Sequence, residues 1–89
     1  MQTVRETERI LKVLANRRRL AILKLLDRRG SVRVGDIATD IKLSFKATSK
    51  HMGILSAAQM VEGEQAGLSI KYHLKGPVHR LVRLALDNF

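Results

Sequence analysis

The chain has 89 residues, about one small domain, and its 45% hydrophobic content suits a packed core and excludes wholesale disorder. Seventeen Lys and Arg against eight Asp and Glu give a net charge of +9, which favours an anionic partner: nucleic acid first, a membrane surface or an acidic protein second. The lack of cysteine excludes disulfides and thiolate metal sites. No stretch approaches the roughly 18 apolar residues of a membrane span, and the N-terminal segment is charged at Arg5, Glu6, Glu8 and Arg9, so a cytoplasmic protein is expected.

The first predicted element is an amphipathic helix over residues 2–14, with Val4, Ile10, Leu11, Val13 and Leu14 spaced closer to period 3.6 than to period 2. Asn16 offers an N-cap for a second helix whose Leu20, Ile22, Leu23, Leu25 and Leu26 form a broad apolar face. Arg17, Arg18 and Arg19 stand in its first turn, where the helix dipole disfavours cations by a few tenths of a kcal/mol. They are either solvated helix formers or retained for something other than helix stability. The helix ends with Arg28 and Arg29 before Gly30, a residue suited to positive φ beyond a helix end. Residues 1–29 carry nine basic and three acidic groups, so most of the positive charge is N-terminal.

Ser31 to Arg33 is too short for more than a single-bridge strand. Val34, Ile37, Ala38 and Ile41 return to helical spacing, and only Lys42 and Leu43 separate this third helix from the Ser44 cap of a fourth, predicted over 45–58. Two short helices joined by about three residues make a helix-turn-helix. On the fourth helix Ala47, His51, Leu55 and Ala58 share one face, flanked by Thr48 and Ile54. Lys46, Ser49, Lys50, Gly53 and Ser56 form the other, a small, polar, basic surface that suits a DNA major groove or simple solvation. Phe45 can touch a thymine methyl or fold back onto the turn. Gly53 lowers helix propensity by about 1 kcal/mol, against close backbone approach to DNA or to the following hairpin, or against nothing at all.

Met60 and Val61 open a strand running to Gln65, and Leu68 to Leu74 forms another, with Ala66-Gly67 as the turn between them. A hairpin in that position is a wing, and Lys71 is a cation it offers to DNA. Gly76-Pro77 then punctuates the chain, with Pro77 suited to the first position of a last helix over 77–89. That helix carries more apolar surface than so small a domain can cover. The terminal helices 2–14 and 77–89 are therefore expected to pair with a second copy through Val4, Leu11, Val78, Leu81, Val82, Ala85 and Phe89. The predicted architecture is mainly α with a small β-hairpin: one winged helix-turn-helix domain over 1–89, in the order helix, helix, short strand, helix, helix, strand, strand, helix.

Over about residues 10–75 the sequence resembles the ArsR/SmtB family of winged helix-turn-helix repressors. The likeness is carried by Leu11 to Leu20 with Ile22-Leu23-Lys24-Leu25-Leu26, by Gly30 to Ala38, by Leu43 to Met52 with its Ser-x-His, and by Ala58, Met60-Val61, Gly67, Tyr72 and Leu74. The resemblance implies a homodimeric repressor that binds double-stranded DNA, and it adds His51, otherwise a core residue by helical spacing, as a DNA contact. Three departures narrow it. Arg33 and Gly35 occupy positions where many members place metal-binding cysteines, and the C-terminal helix offers only His79 and Asp87, so no metal cofactor is expected. The wing carries Glu62 and Glu64, where members are usually basic. Lys42 and Gln59 stand where glycine usually ends a helix.

The leading expectation is a dimeric, sequence-specific DNA-binding regulator using Ser44, Phe45, Lys46, Ser49, Lys50, His51 and Lys71. The alternative is a winged-helix interaction module that grips an acidic protein through the Arg-rich first and second helices. An enzyme is not expected, since no cysteine nucleophile, glycine-rich phosphate loop or His-carboxylate cluster at workable spacing is present. The basic helices also lack the tryptophan that would favour a membrane surface.

Overall fold

In the computed structural model, which describes residues 2–89, the elements are α1 (Val4–Leu14), α2 (Arg17–Arg29), β1 (Ser31–Arg33), α3 (Val34–Ile41), α4 (Phe45–Ala57), β2 (Val61–Ala66), β3 (Ser69–Leu74) and α5 (Arg80–Asp87). Local caps set most boundaries. Thr3 accepts from the Glu6 amide to start α1, Asn16 accepts from the Arg18 and Arg19 amides to start α2, and Ser44 accepts from the Ala47 amide to start α4. Gly30, at φ 85°, closes α2. The core forms where Ile22, Leu23 and Leu26 of α2 meet Ile37 of α3, Met52 and Leu55 of α4, Val61 of β2, and Val82 and Leu86 of α5. The result is a mainly helical winged helix-turn-helix domain.

Three strands, not two, form the antiparallel sheet, in the order β1-β3-β2. The Ser31–Arg33 segment exceeds the expected single bridge, pairing over three residues as Ser31↔His73, Val32↔Tyr72 and Arg33↔Lys71. Val32 is buried on the core side, which ties the end of α2 to the wing. The hairpin turn lies one residue later than expected: Ala66 pairs with Ser69, leaving Gly67-Leu68 as the two-residue loop. Gly67, at φ 66°, supplies the positive φ that such a loop requires at its first position. Gly63 is required by close packing, because an added Cβ would lie 2.9 Å from both Ile70 Cγ2 and Tyr72 Cε1.

Pro77 does not begin the last helix. α5 starts at Arg80, and His79 caps it, its Nδ1 accepting from the Leu81 amide at 3.1 Å. Arg83 of α5 forks onto Asp27 of α2 at 3.0 and 2.6 Å and also meets Asp87 at 3.0 Å, so the Asp27 carboxyl is held below its usual range.

α2 does more than fill the core. Arg19 Nε donates to the Val13 carbonyl near the end of α1 at 2.7 Å, Arg18 Nη1 to the Ile41 carbonyl at the end of α3 at 2.7 Å, and Lys24 Nζ to the Leu86 carbonyl near the end of α5 at 2.7 Å. Each cation meets the negative end of a helix dipole.

Among the described residues the Thr48 Oγ1 is buried with no hydrogen-bond partner, which costs its desolvation without return. Replacing it by an isosteric methyl removes that cost. Thermal melting of Thr48→Val is expected to show a gain of about 1 kcal/mol, and a fall in melting temperature would contradict the placement of this side chain.

Candidate nucleic-acid interface

The turn between α3 and α4 occupies Lys42, Leu43 and Ser44. Lys42 adopts the left-handed conformation at φ 56° and ψ 49°, the Leu43 amide donates to the Ala38 carbonyl at 3.0 Å, and Arg18 holds the Ile41 carbonyl from α2. Positive φ at a non-glycine residue costs on the order of 1 kcal/mol, so the surrounding bonds over-determine this turn. Gln59, at φ 63°, plays the same part at the other end of α4, where the Gln59 and Met60 amides donate to the Ser56 and Leu55 carbonyls. The helix presented to solvent is therefore fixed at both ends.

α4 is rotated slightly from its expected setting. Its buried line is Thr48, Met52 and Leu55, with Ala47, His51 and Ala58 half-buried at the margin and Ile54 exposed. Met52 reaches further into the core than Ala47 can, and its burial sets the rotation. Lys46, Ser49, Lys50, Gly53 and Ser56 all face solvent as expected. Phe45 is 60% exposed. A Cβ at Gly53 would meet nothing within 4 Å, so this glycine is not required by contact with the hairpin. Ser44, Phe45, Lys46, Ser49 and Lys50 thus share one exposed, cationic end of α4.

Lys71 is exposed on β3, with Arg33 opposite it on β1 and Glu64 opposite it on β2. Arg33 was not among the expected contacts, because its place beside Lys71 arises from the non-local pairing of β1. The Glu62 and Glu64 carboxylates gather around one ring, 3.6 and 3.5 Å from His73 Nε2. Leu68 stands fully exposed at the tip of the hairpin.

Of the surface expected to grip an acidic protein, the Arg18 and Arg19 guanidinium groups are engaged by helix carbonyls, while Arg17, Arg28 and Arg29 stay exposed. On the terminal helices, Val4 and Leu11 are exposed along α1, and Leu81 and Ala85 are half-buried on α5. Val78 lies before α5 and packs partly on the core. Val82 does not face outward: at 2% exposure it belongs to the protomer's own core. Leu84, at 67% exposure, takes the outward place instead. Phe89 lies beyond α5 and is largely exposed, its ring 5.1 Å from Lys24 Nζ. His79 and Asp87 are engaged elsewhere, the first with Gln2 and the Leu81 amide, the second with Arg83. No helix among the described residues is long and apolar enough to cross a membrane.

His51 is half-buried and Nδ1 has no partner. Burial, then the nearby Arg19, Arg18 and Lys50, push its pKa below the usual value, so the ring is neutral at pH 7. Well above pH 6.5 the ring is neutral in both folded and unfolded chains and contributes nothing to pH dependence. As pH falls below 6.5 the unfolded chain takes up the proton first, and stability drops by at most about 1.4 kcal/mol per pH unit until the lowered folded value is reached. Melting curves from pH 7 to pH 5 are expected to fall less steeply for His51→Gln than for the parent; parallel curves would contradict the assignment.

Comparison with known proteins places this geometry. Residues 16–62, which contain α2, α3, α4 and the start of the wing, match the family model of bacterial regulatory proteins of the arsR family. The HTH-type transcriptional regulator Rv2034 of Mycobacterium tuberculosis is 34% identical over 89 residues, covering 100% of this chain and 82% of that protein. The homodimeric winged helix-turn-helix DNA-binding domain of Mb0332 from Mycobacterium bovis superposes with a TM-score of 0.82 at 32% identity, covering 99% of this chain and 87% of the other. HlyU from Vibrio cholerae gives 0.83 at 27% identity, covering 94% and 91%. The chain belongs to the ArsR family of bacterial regulatory proteins: it is a DNA-binding winged-helix transcriptional regulator, not an enzyme.

Proposed function

We propose that the protein acts in the cytoplasm as a homodimeric repressor, in which two α4 helices enter successive major grooves roughly 34 Å apart on a near-palindromic site. The observation that carries this reading is the exposed end of α4, where Lys46, Ser49 and Lys50 face solvent beside the free first-turn amides behind Ser44. Phosphates suit that helix terminus, and the lysines and Ser49 reach base edges or the adjacent backbone. Phe45 is positioned for apolar contact with a thymine methyl, and Lys71 for the phosphates beside the wing. His51 acts from the margin of the same helix as a neutral ring, able to hydrogen-bond but adding no charge.

Pairing through α1 and α5 is supported by the outward apolar residues Val4, Leu11 and Leu84, with Leu81, Ala85, Val78 and Phe89 beside them, and by the homodimeric state given for the Mb0332 domain. A dimer lying across two grooves excludes other proteins from that DNA, which is the action of a repressor.

The test uses the duplex best retained from random DNA. Lys46→Ala with Lys50→Ala is expected to abolish specific binding while sedimentation still reports a dimer, and to lower the slope of log affinity against log salt by roughly one unit per lysine lost. Leu11→Glu is expected to yield monomers that bind the same duplex weakly. Undiminished binding by the lysine variant would overturn the placement of α4, and a dimeric Leu11→Glu would overturn the interface.

A further inference from the structure

A cavity of about 480 Å³ opens where the N-terminal half of α1, the α4–β2 junction and the β3–α5 connection meet. Its size lies within the range of small-molecule sites. Ile10, Met60, Pro77 and Val82 give it an apolar floor, and Arg9 and Lys75 bring two cations to it. Glu6 also borders it, its carboxylate accepting from the Thr3 hydroxyl at 3.2 Å, so the lining carries two cations against one anion. His79 Nδ1 accepts from the Leu81 amide, which leaves Nε2 to donate to Gln2 Oε1 at 2.6 Å. Lys75 Nζ donates to the Gln59 side-chain carbonyl and keeps two further donors, and Arg9 finds no carboxylate among the described residues.

We propose that this cavity binds a small organic anion, a carboxylate on a compact apolar body, with the acid between Arg9 and Lys75 and the body on the apolar floor. An inorganic anion would leave the floor unused, and a cation would meet the wrong charge. The cavity borders Gln59, the left-handed residue that ends α4, so an occupant touches the α4–β2 junction directly. It lies apart from the exposed end of α4, and binding there does not depend on the DNA reading.

The probe is 1-naphthoate, titrated into the full chain and followed by backbone amide NMR, with acetate and 1-naphthylmethylammonium as controls. The expected result is saturable shifts at residues 58–60, 75, 76, 78 and 79, binding weaker by roughly tenfold in Arg9→Gln and in Lys75→Gln, and no saturation by either control. Arg9 is exposed and Lys75 half-buried, and amide spectra of the free variants establish that the fold is kept. Absence of saturable binding overturns the proposal. So do equal binding by the cationic control, shifts confined to the outer face of α1 around Val4 and Leu11, or undiminished binding by both variants. Affinity for the selected duplex is measured on the same samples without naphthoate, so that loss of the DNA reading is seen separately from loss of the ligand site.

Discussion

The structure depends on cations donated by one helix to the carbonyl ends of three others. Arg19, Arg18 and Lys24 lie within two turns of α2 and reach the last turns of α1, α3 and α5. A helix C-terminus carries unsatisfied carbonyls and about half a negative charge, and in a domain this small there is little further chain to cover it. Drawing those caps from the central helix ties four of the five helices together around the core that Ile22, Leu23 and Leu26 supply. Arg83 on Asp27 adds a return contact from α5. The concentration of positive charge in the first third of the chain therefore has a use inside the protomer, and the cost of arginines in the first turn of α2 is offset by the ends they cap.

That arrangement decides what the helix-turn-helix can do. The carbonyl held by Arg18 is the last of α3, immediately before the left-handed Lys42, so the angle between α3 and α4 is set from α2. With Thr48, Met52 and Leu55 facing inward, Lys46, Ser49 and Lys50 are carried outward on a rigid element. Of the +9 net charge, the α2 cations bound to carbonyls are withdrawn from intermolecular use. The lysines at the exposed end of α4, with Lys42 in the turn before it and Arg33 and Lys71 on the sheet, face solvent around the DNA-reading helix, while the two wing carboxylates face His73.

Features fixed by a few consecutive residues were legible in the sequence. Asn16 and Ser44 cap where expected, Gly30 closes α2, and the absence of glycine at 42 and 59 correctly marked two strained helix ends. Features set by distant residues were not legible. Nothing near Arg18 or Arg19 indicates that carbonyls at 41 and 13 will meet them, and nothing near Ser31 indicates that β3 will pair along its whole length. The boundary at Pro77 failed because a histidine ring two residues later makes the cap, an arrangement that the usual capping residues do not announce. The face of α4 was misjudged by a fraction of a turn because apolar spacing favoured Ala47 and His51, whereas packing favours the longer Met52. Val82 was expected to face a second copy and is buried for a related reason: among the adjacent apolar residues of α5, only the packed neighbours decide which one faces inward.

Two charge-matched proteins test the central claim most directly, one carrying Arg18→Gln, Arg19→Gln and Lys24→Gln, the other Arg17→Gln, Arg28→Gln and Arg29→Gln. Both lose three positive charges from α2, and the second set removes only exposed side chains. Thermal melting at one ionic strength is expected to place the first set roughly 15 °C or more below the parent, since each uncapped carbonyl costs about 1 kcal/mol or more, and the second within about 5 °C of it. Equal losses in the two proteins would contradict the account, because they would mean that α2 contributes diffuse charge and not the capping of helix ends.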